Sequence, residues 1–377
     1  MVSVCDVLGE ERPDVIFVVG QPSRHVVVEP DLRASTVHAA TLIRLRFRLA
    51  QNLRHGRCRD AKMHRVITPA SGQRLRWQEL PERLKDWVAD VLGAPIVTAD
   101  SQIGGFSPGT ADRVQTAAGD RAFVKAVSSA QNEFSPRLYR QEAHVVAHLP
   151  RTRYTPSLIA VYDDGDWVAM VLEDIDGRPP SLPWRLDELD AVMTALDELA
   201  HLLTPSPLHH LDSMVDAYAE TFAGWKRVRS NPPPVLDDWV RARLDDLVEM
   251  ATRGLAALAG STLVHGDVRA DNLLIQRDGS VVVVDWPWAS NGASWVDRLF
   301  LLVNVDLYGG HDPDRWIAQH LGDAVTPAEI TCVIAGLCGY FTDIARQPPA
   351  RRLPTVRAFQ ADQAHSTLAW LRRRTAT

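Results

Sequence analysis

The sequence predicts an α+β fold in which a small strand-rich lobe precedes a larger helical lobe. Three observations lead there. Short strand-like segments separated by turn residues follow one another up to about residue 174. Beyond it, long segments carry apolar residues at helical spacing. A chain of 377 residues with 46% hydrophobic content is long enough to bury a core in each of two lobes.

Residues 1–62 stand apart. "RLRFRLAQNLRHGRCRDAK" is rich in arginine without a helical or strand period, and "VIFVVG" and "HVVV" are isolated strand-like runs. The segment reads as a small extra domain, a disordered extension, or a start misplaced upstream of Met63. A packed core needs patterning that is missing here, which favours the second and third readings. The strand-rich lobe is therefore expected over residues 63–174 and the helical lobe over residues 175–377.

The elements come in order. Leu80, Leu84, Trp87, Val88, Val91 and Leu92 share one helical face, and Gly93 stops that helix. "AAGDR", residues 117–121, reads as a hairpin turn, and Phe123, Lys125 and Val127 then fall on one face of a strand. "SPRLYRQEAHVVAHLP" reads as a helix stopped at Pro150. "DWVAMVLEDIDG" is a strand leaving through an acidic turn that ends in glycine. "RLDELDAVMTALDELAHLL" is an amphipathic helix. The loops "TPSPLHH" and "SNPPPV" interrupt the mostly helical stretch beyond it, and "LPTVRAFQADQAHSTLAWLRRR" is the last helix. No internal repeat occurs, and three prolines at 232–234 mark a linker turn.

Composition narrows the function. A net charge of −6 gives no global basic field for nucleic acid. Cys5, Cys58, Cys332 and Cys338 show no CxxC spacing, which fits a reducing, cytoplasmic setting. The N-terminus lacks the basic-then-apolar pattern of a signal peptide, and the longest apolar runs are too short to span a bilayer.

One stretch carries chemistry. "LVHGDVRADNLLI" sets His265, Gly266, Asp267 and Asn272 between apolar runs, and "VVVVDW" reaches Asp285 through a buried-type strand. Phosphoryl transfer needs a carboxylate to orient the attacking hydroxyl and take its proton, and oxygen ligands for magnesium. Asp267 suits the first task, Asn272 and Asp285 the second. Apolar flanks would hold these groups rigidly at a cleft floor.

The pattern resembles the catalytic loop and metal-binding aspartate of the aminoglycoside phosphotransferase family, small-molecule kinases related in fold to protein kinases. The resemblance extends over about residues 76–370 and implies a protein-kinase-like bilobal fold that uses ATP and Mg2+. "IGGFSPG" looks like the nucleotide-binding loop, with Gly104, Gly105, Ser107 and Gly109 approaching the phosphates. By the same match Lys125 holds the phosphates and Glu142 pairs with it, Glu133 being the fallback partner. "VLEDIDG" resembles the hinge, so the Glu173 carbonyl and Ile175 amide would bond adenine and Leu172 would line the pocket. Asp297 matches a residue that braces the catalytic loop. Two features depart from the pattern. Pro287 follows Trp286, which argues against a mobile switch. Arg269 lies inside the loop, where it either stabilises transferring phosphate or pairs with a nearby acid.

The implied activity is transfer of the γ-phosphate of ATP to a hydroxyl of a small molecule, such as an aminoglycoside or another cationic hydroxylated metabolite. The competing readings are a protein kinase and a catalytically inactive nucleotide-binding module. HGD in place of HRD stands against the first, and the full set of expected groups against the second. For the acceptor, Asp306, Asp312 and Asp314 with Trp184, Trp286, Trp288, Trp295 and Trp316 are candidates for an acidic, aromatic pocket. Burial in the core and solvation in loops are the competing readings of these residues.

Overall fold

The computed structural model describes residues 67, 74–102, 105, 107–348 and 353–376, which belong to one compact unit. The expectations for residues 1–62 and for Gly104 lie outside the described residues.

The first helix, α1 (Glu82–Leu92), starts later than its apolar spacing suggested. Pro81 sits at its N-cap, and Trp77–Glu79 form a separate 3-10 turn. Proline has no N–H to give a preceding turn, so it begins the helix and excludes Leu80 from it. Gly93, at φ 73°, ends it as read.

Five antiparallel strands come next: β1 (Ile96–Ser101), β2 (Thr110–Thr116), β3 (Arg121–Ser128), β4 (Leu158–Asp163) and β5 (Trp167–Glu173). Their spatial order is β1-β2-β3-β5-β4. Strand alternation gives the sheet two distinct faces. Val124, Ala126, Ala169 and Val171 point outward and pack under Leu84 and Val88 of α1. Each of these two α1 side chains is 1% exposed, burial that contributes about 1.5–3 kcal/mol apiece. Val127, Val168, Met170 and Leu172 take the other face, against Tyr139, Val145 and Val146 of α2 (Ser135–His148). Lys125 shares that inner face, opposite Ala111 on β2 and Met170 on β5.

The helical lobe opens with the two-residue strand β6 (Gly177–Arg178) and α3 (Leu186–Leu202). Short helices α4 (Met214–Ala217), α5 (Ala219–Phe222), α6 (Gly224–Ser230) and α7 (Asp238–Arg241) lead to α8 (Leu244–Ala257). Two small sheets then fix the chemical loop. β7 (Thr262–Val264) pairs with β10 (Ser290–Gly292), while β8 (Leu273–Gln276) lies between β6 and β9 (Val281–Val283). The chain closes with α9 (Val296–Tyr308), α10 (Pro313–His320), α11 (Pro327–Ile344) and α12 (Val356–Thr375). α11 is the core helix of this lobe, packed against α6, α8 and α12. Among the described residues no helix is long and apolar enough to cross a membrane.

Candidate active site

β7 delivers the chain to His265, which is 1% exposed. Its Nδ1 accepts the Asp267 N–H at 3.1 Å, and its Nε2 lies 3.0 Å from the Val284 carbonyl. An acceptor at Nδ1 and a donor at Nε2 define one neutral tautomer. Burial holds its pKa below the ordinary value, consistent with that form. Asp297 takes the His265 and Gly266 backbone N–H groups at 2.8 and 3.0 Å, and the Tyr218 hydroxyl donates to the Gly266 carbonyl at 2.6 Å. The loop is thus braced from α9 and from beside α4. Gly266 has φ 80°, and a Cβ there would stand 2.7 Å from the Tyr218 hydroxyl and 2.8 Å from the Trp288 carbonyl, so only glycine fits.

The Asp267 carboxylate is nearly buried. Arg269 Nη1 donates to both its oxygens at 2.9 Å, and Asn272 Nδ2 to one of them at 3.2 Å. Burial lifts its pKa to about 7, against the pull of Arg269. Arg269 also forks onto Asp271 at 2.9–3.0 Å, so here it pairs with two acids at once. Tyr308 lies close enough to Asp271, Arg269 and Asp362 for their charges to act on it, with burial first in raising its pKa to about 12.

Lys125 and Asp285 are 160 residues apart in sequence and in contact in the fold. Lys125 Nζ donates to Glu142 and to Asp285, each at 2.5 Å. One lysine therefore serves two carboxylates, and they share it unequally. At Asp285 burial pushes the pKa up, but Lys125 outweighs it and holds the group below its ordinary value. Glu142 is raised to about 7, by burial first and also by the Asp285 charge. Burial opposes the charge on Lys125, yet the two acids keep its pKa above the ordinary value. Asp285 has φ 70°, the only positive φ outside glycine among the described residues. Aspartate tolerates that conformation better than most residues, but it is a strained one.

Magnesium suits the donor set. Asn272 spends its Nδ2 on the Asp267 carbonyl and carboxylate, which leaves Oδ1 for a cation. Val284 N–H bonds the Asn272 carbonyl at 3.0 Å, so Asn272 and Asp285 end adjacent strands side by side. Both offer hard oxygen. Among the described residues no three His, Cys, Asp or Glu side chains gather around a metal position.

The described end of the glycine loop meets this group through Tyr139. Ser107 Oγ is 2.8 Å from the hydroxyl of Tyr139, whose ring stands beside Lys125. A Cβ on Gly109 would come within 2.5 Å of that hydroxyl and 2.6 Å of the Ala126 carbonyl. Gly105 adopts φ 70°. At the hinge, Leu172 is buried opposite Phe123 on the Lys125 face. Glu173 ends β5 and is exposed, with its side chain accepting from the Ser157 N–H. Asp174, next in the hinge, is not a solvated charge. Its side chain is 4% exposed and pairs with Arg113 and Arg121, while Arg113 also donates to the Ile175 carbonyl. The signal for this brace was strand alternation, which places Arg113 opposite Phe123. Glu133 is not the lysine's partner.

The acidic, aromatic acceptor pocket does not form as a unit. Asp306 is held by Ser366 and Arg373, Asp312 caps α10, and Asp314 accepts from Trp370 and Arg374. Trp184, Trp286, Trp295 and Trp316 are buried, which leaves Trp288 half-exposed. These acids neutralise a basic helix end, and these rings fill the core, so burial outweighs the surface signal.

A sequence profile of the phosphotransferase enzyme family matches residues 104–329. No curated protein matches the chain. Among solved structures, choline kinase LicA from Streptococcus pneumoniae is 12% identical at a TM-score of 0.56, over 78% of this chain and 98% of its own. Spectinomycin phosphotransferase APH(9)-Ia, solved with ADP and spectinomycin, is 11% identical at 0.52, over 76% and 97%. APH(2")-IIia, solved with GDP and kanamycin, is 15% identical at 0.52, over 78% and 99%. At these identities the likeness is one of fold, and that fold is bilobal.

Proposed function

Because this chain belongs to the phosphotransferase enzyme family, we propose that it transfers the γ-phosphate of ATP to a hydroxyl of a small cationic molecule, an aminoglycoside or a similar hydroxylated amine. The observation that carries the reading is the meeting of Lys125, Glu142 and Asp285 beside Asp267 and Asn272. Five groups from three stretches of the chain come together, and phosphoryl transfer uses a set of this kind. The acceptor class is supported by the acidic surroundings of the loop, where the charges of Asp271 and Asp362 both reach Tyr308. It agrees with the amine-bearing ligands named for the neighbouring structures.

In this reading Asp267 orients the acceptor hydroxyl. The hydroxyl oxygen attacks the γ-phosphorus, the bond to the bridging oxygen breaks, ADP leaves, and the hydroxyl proton passes to the Asp267 carboxylate. A pKa near 7 allows Asp267 to take that proton and release it again. Arg269 turns from its two acids toward the charge on the transferring phosphoryl group. Lys125 binds the nucleotide phosphates, and Glu142 keeps it aimed. Asn272 and Asp285 would hold magnesium, which neutralises phosphate charge when bound. Cytoplasmic localisation is part of the same proposal and rests on cysteine usage alone.

The test is ADP formation from Mg-ATP across a panel of aminoglycosides, choline-like amines and hydroxylated metabolites, with Lys125→Met as the control. Acceptor-dependent ADP release that Lys125→Met abolishes supports the reading. No acceptor-dependent release, together with no Mg-ATP binding, would overturn it.

A further inference from the structure

Between α2, residues 212–220 and the segment after Asp285 lies a cavity of about 150 Å³. It is separate from the chemistry above. The Asp267 carboxylate is taken by Arg269 and Asn272, and neither lines the cavity. Leu138, Pro287 and Trp288 give it apolar walls. Ser290, 2% exposed, also lines it, and its buried Oγ has no hydrogen-bond partner. A buried hydroxyl without a partner is costly, and a ligand that meets it recovers the loss.

The rim carries an excess of negative charge. Arg137 faces three acids, Asp212, Asp216 and Glu220. Asp216 already accepts from Ser213, and Glu220 is paired with Arg227. Among the described residues no side chain neutralises Asp212. A cavity of about 150 Å³ accommodates a body the size of a benzene ring.

We propose that this cavity is a second ligand site, for a small amine whose ring-sized apolar body ends in a hydrogen-bonding group, and that its occupation strengthens nucleotide binding. The ammonium meets Asp212, the ring lies between Leu138 and Trp288, and the polar end reaches Ser290. The coupling, which rests on the nucleotide reading, runs through α2. Gln141 lines the cavity and Glu142 follows it on the same helix. The Trp286 backbone, just before the cavity's Pro287, lies close enough to Glu142 to favour its charged form. His144 of the same helix also meets His210, two residues before the cavity's Asp212, with their Nε2 atoms 2.7 Å apart. A ligand that fills the gap fastens α2 where Glu142 holds Lys125.

The experiment is calorimetric titration of the full chain with tyramine and with phenethylamine, with and without saturating Mg-ADP. Tyramine is expected to bind at one site, about tenfold more weakly in Asp212→Asn. Its advantage over phenethylamine is expected to vanish in Ser290→Ala, where the hydroxyl has nothing to meet. Mg-ADP affinity is expected to rise about fivefold with tyramine bound. The proposal fails if tyramine gives no saturable binding, if Asp212→Asn binds it as tightly, if the advantage persists in Ser290→Ala, or if Mg-ADP affinity does not change. Should Mg-ADP itself not bind, the kinase reading falls, while the Asp212 and Ser290 arms still decide the site.

Discussion

Lys125 stands between two carboxylates, and their unequal shares have a consequence in solution. Glu142, raised to about 7, is the acid left short of positive charge. An acid whose pKa is higher folded than unfolded binds protons more tightly in the folded chain. Its stabilising contribution is complete below its ordinary value near 4.5 and is lost as pH rises through about 7. His265, held neutral by burial, works in the opposite direction, so the contribution is read as a difference. Thermal unfolding of the nucleotide-free wild type and Glu142→Gln between those pH values should show the wild type losing stability relative to the variant as pH rises. A pH-independent difference would mean that Glu142 is already ionised. That these residues belong together was legible in the sequence because HGD, a spaced Asn and a strand-terminal Asp form a joint pattern. The hydrogen bonds that set them were not. Nothing in residue type says that Arg269 lies across Asp267, or that Asp174 is buried against two arginines.

Helices and strands were legible where one physical signal dominated. Alternation placed Lys125 and Val127 on the inner face of β3, and Gly93, Pro150 and the apolar period of α3 fixed boundaries correctly. Leu80 misled because its spacing continued across Pro81, where the backbone cannot continue a helix. The short helices α4 to α7 were not separable in sequence, since each is shorter than the period needed to see it. Close packing between helices was equally silent. Gly254 of α8 lies so near α11 that a Cβ would stand 2.4 Å from the Cys332 carbonyl. Gly254→Ala should therefore force the two helices apart, at a cost of about 1–3 kcal/mol. Urea unfolding would measure it, and an unchanged midpoint would show that the helices yield without strain. Because the contact is remote from Asp267, turnover per folded molecule should hold.

Across the whole molecule, the order of lobes followed from composition and periodicity, while the joint between them is a matter of side chains far apart in sequence. Lys125 and Glu142 come from the strand-rich lobe, and Asp267, Asn272 and Asp285 from the helical one. The acceptor pocket read from aspartates and tryptophans dissolved because both residue types found partners within the helical lobe itself. The proposed phosphoryl transfer rests most heavily on a division of labour across that joint. In that proposal Asp267 serves the acceptor hydroxyl, and Asp285 serves the metal and nucleotide. The direct test is calorimetric titration of ATP with and without magnesium into Asp267→Asn and Asp285→Asn, paired with turnover on an acceptor from the panel. Asp267→Asn should lose about 10²–10⁴ in turnover and keep Mg-ATP affinity close to wild type. Asp285→Asn should lose turnover and the magnesium-dependent part of ATP binding together. Equal losses of Mg-ATP affinity in the two variants, or unchanged turnover in Asp267→Asn, would contradict that division.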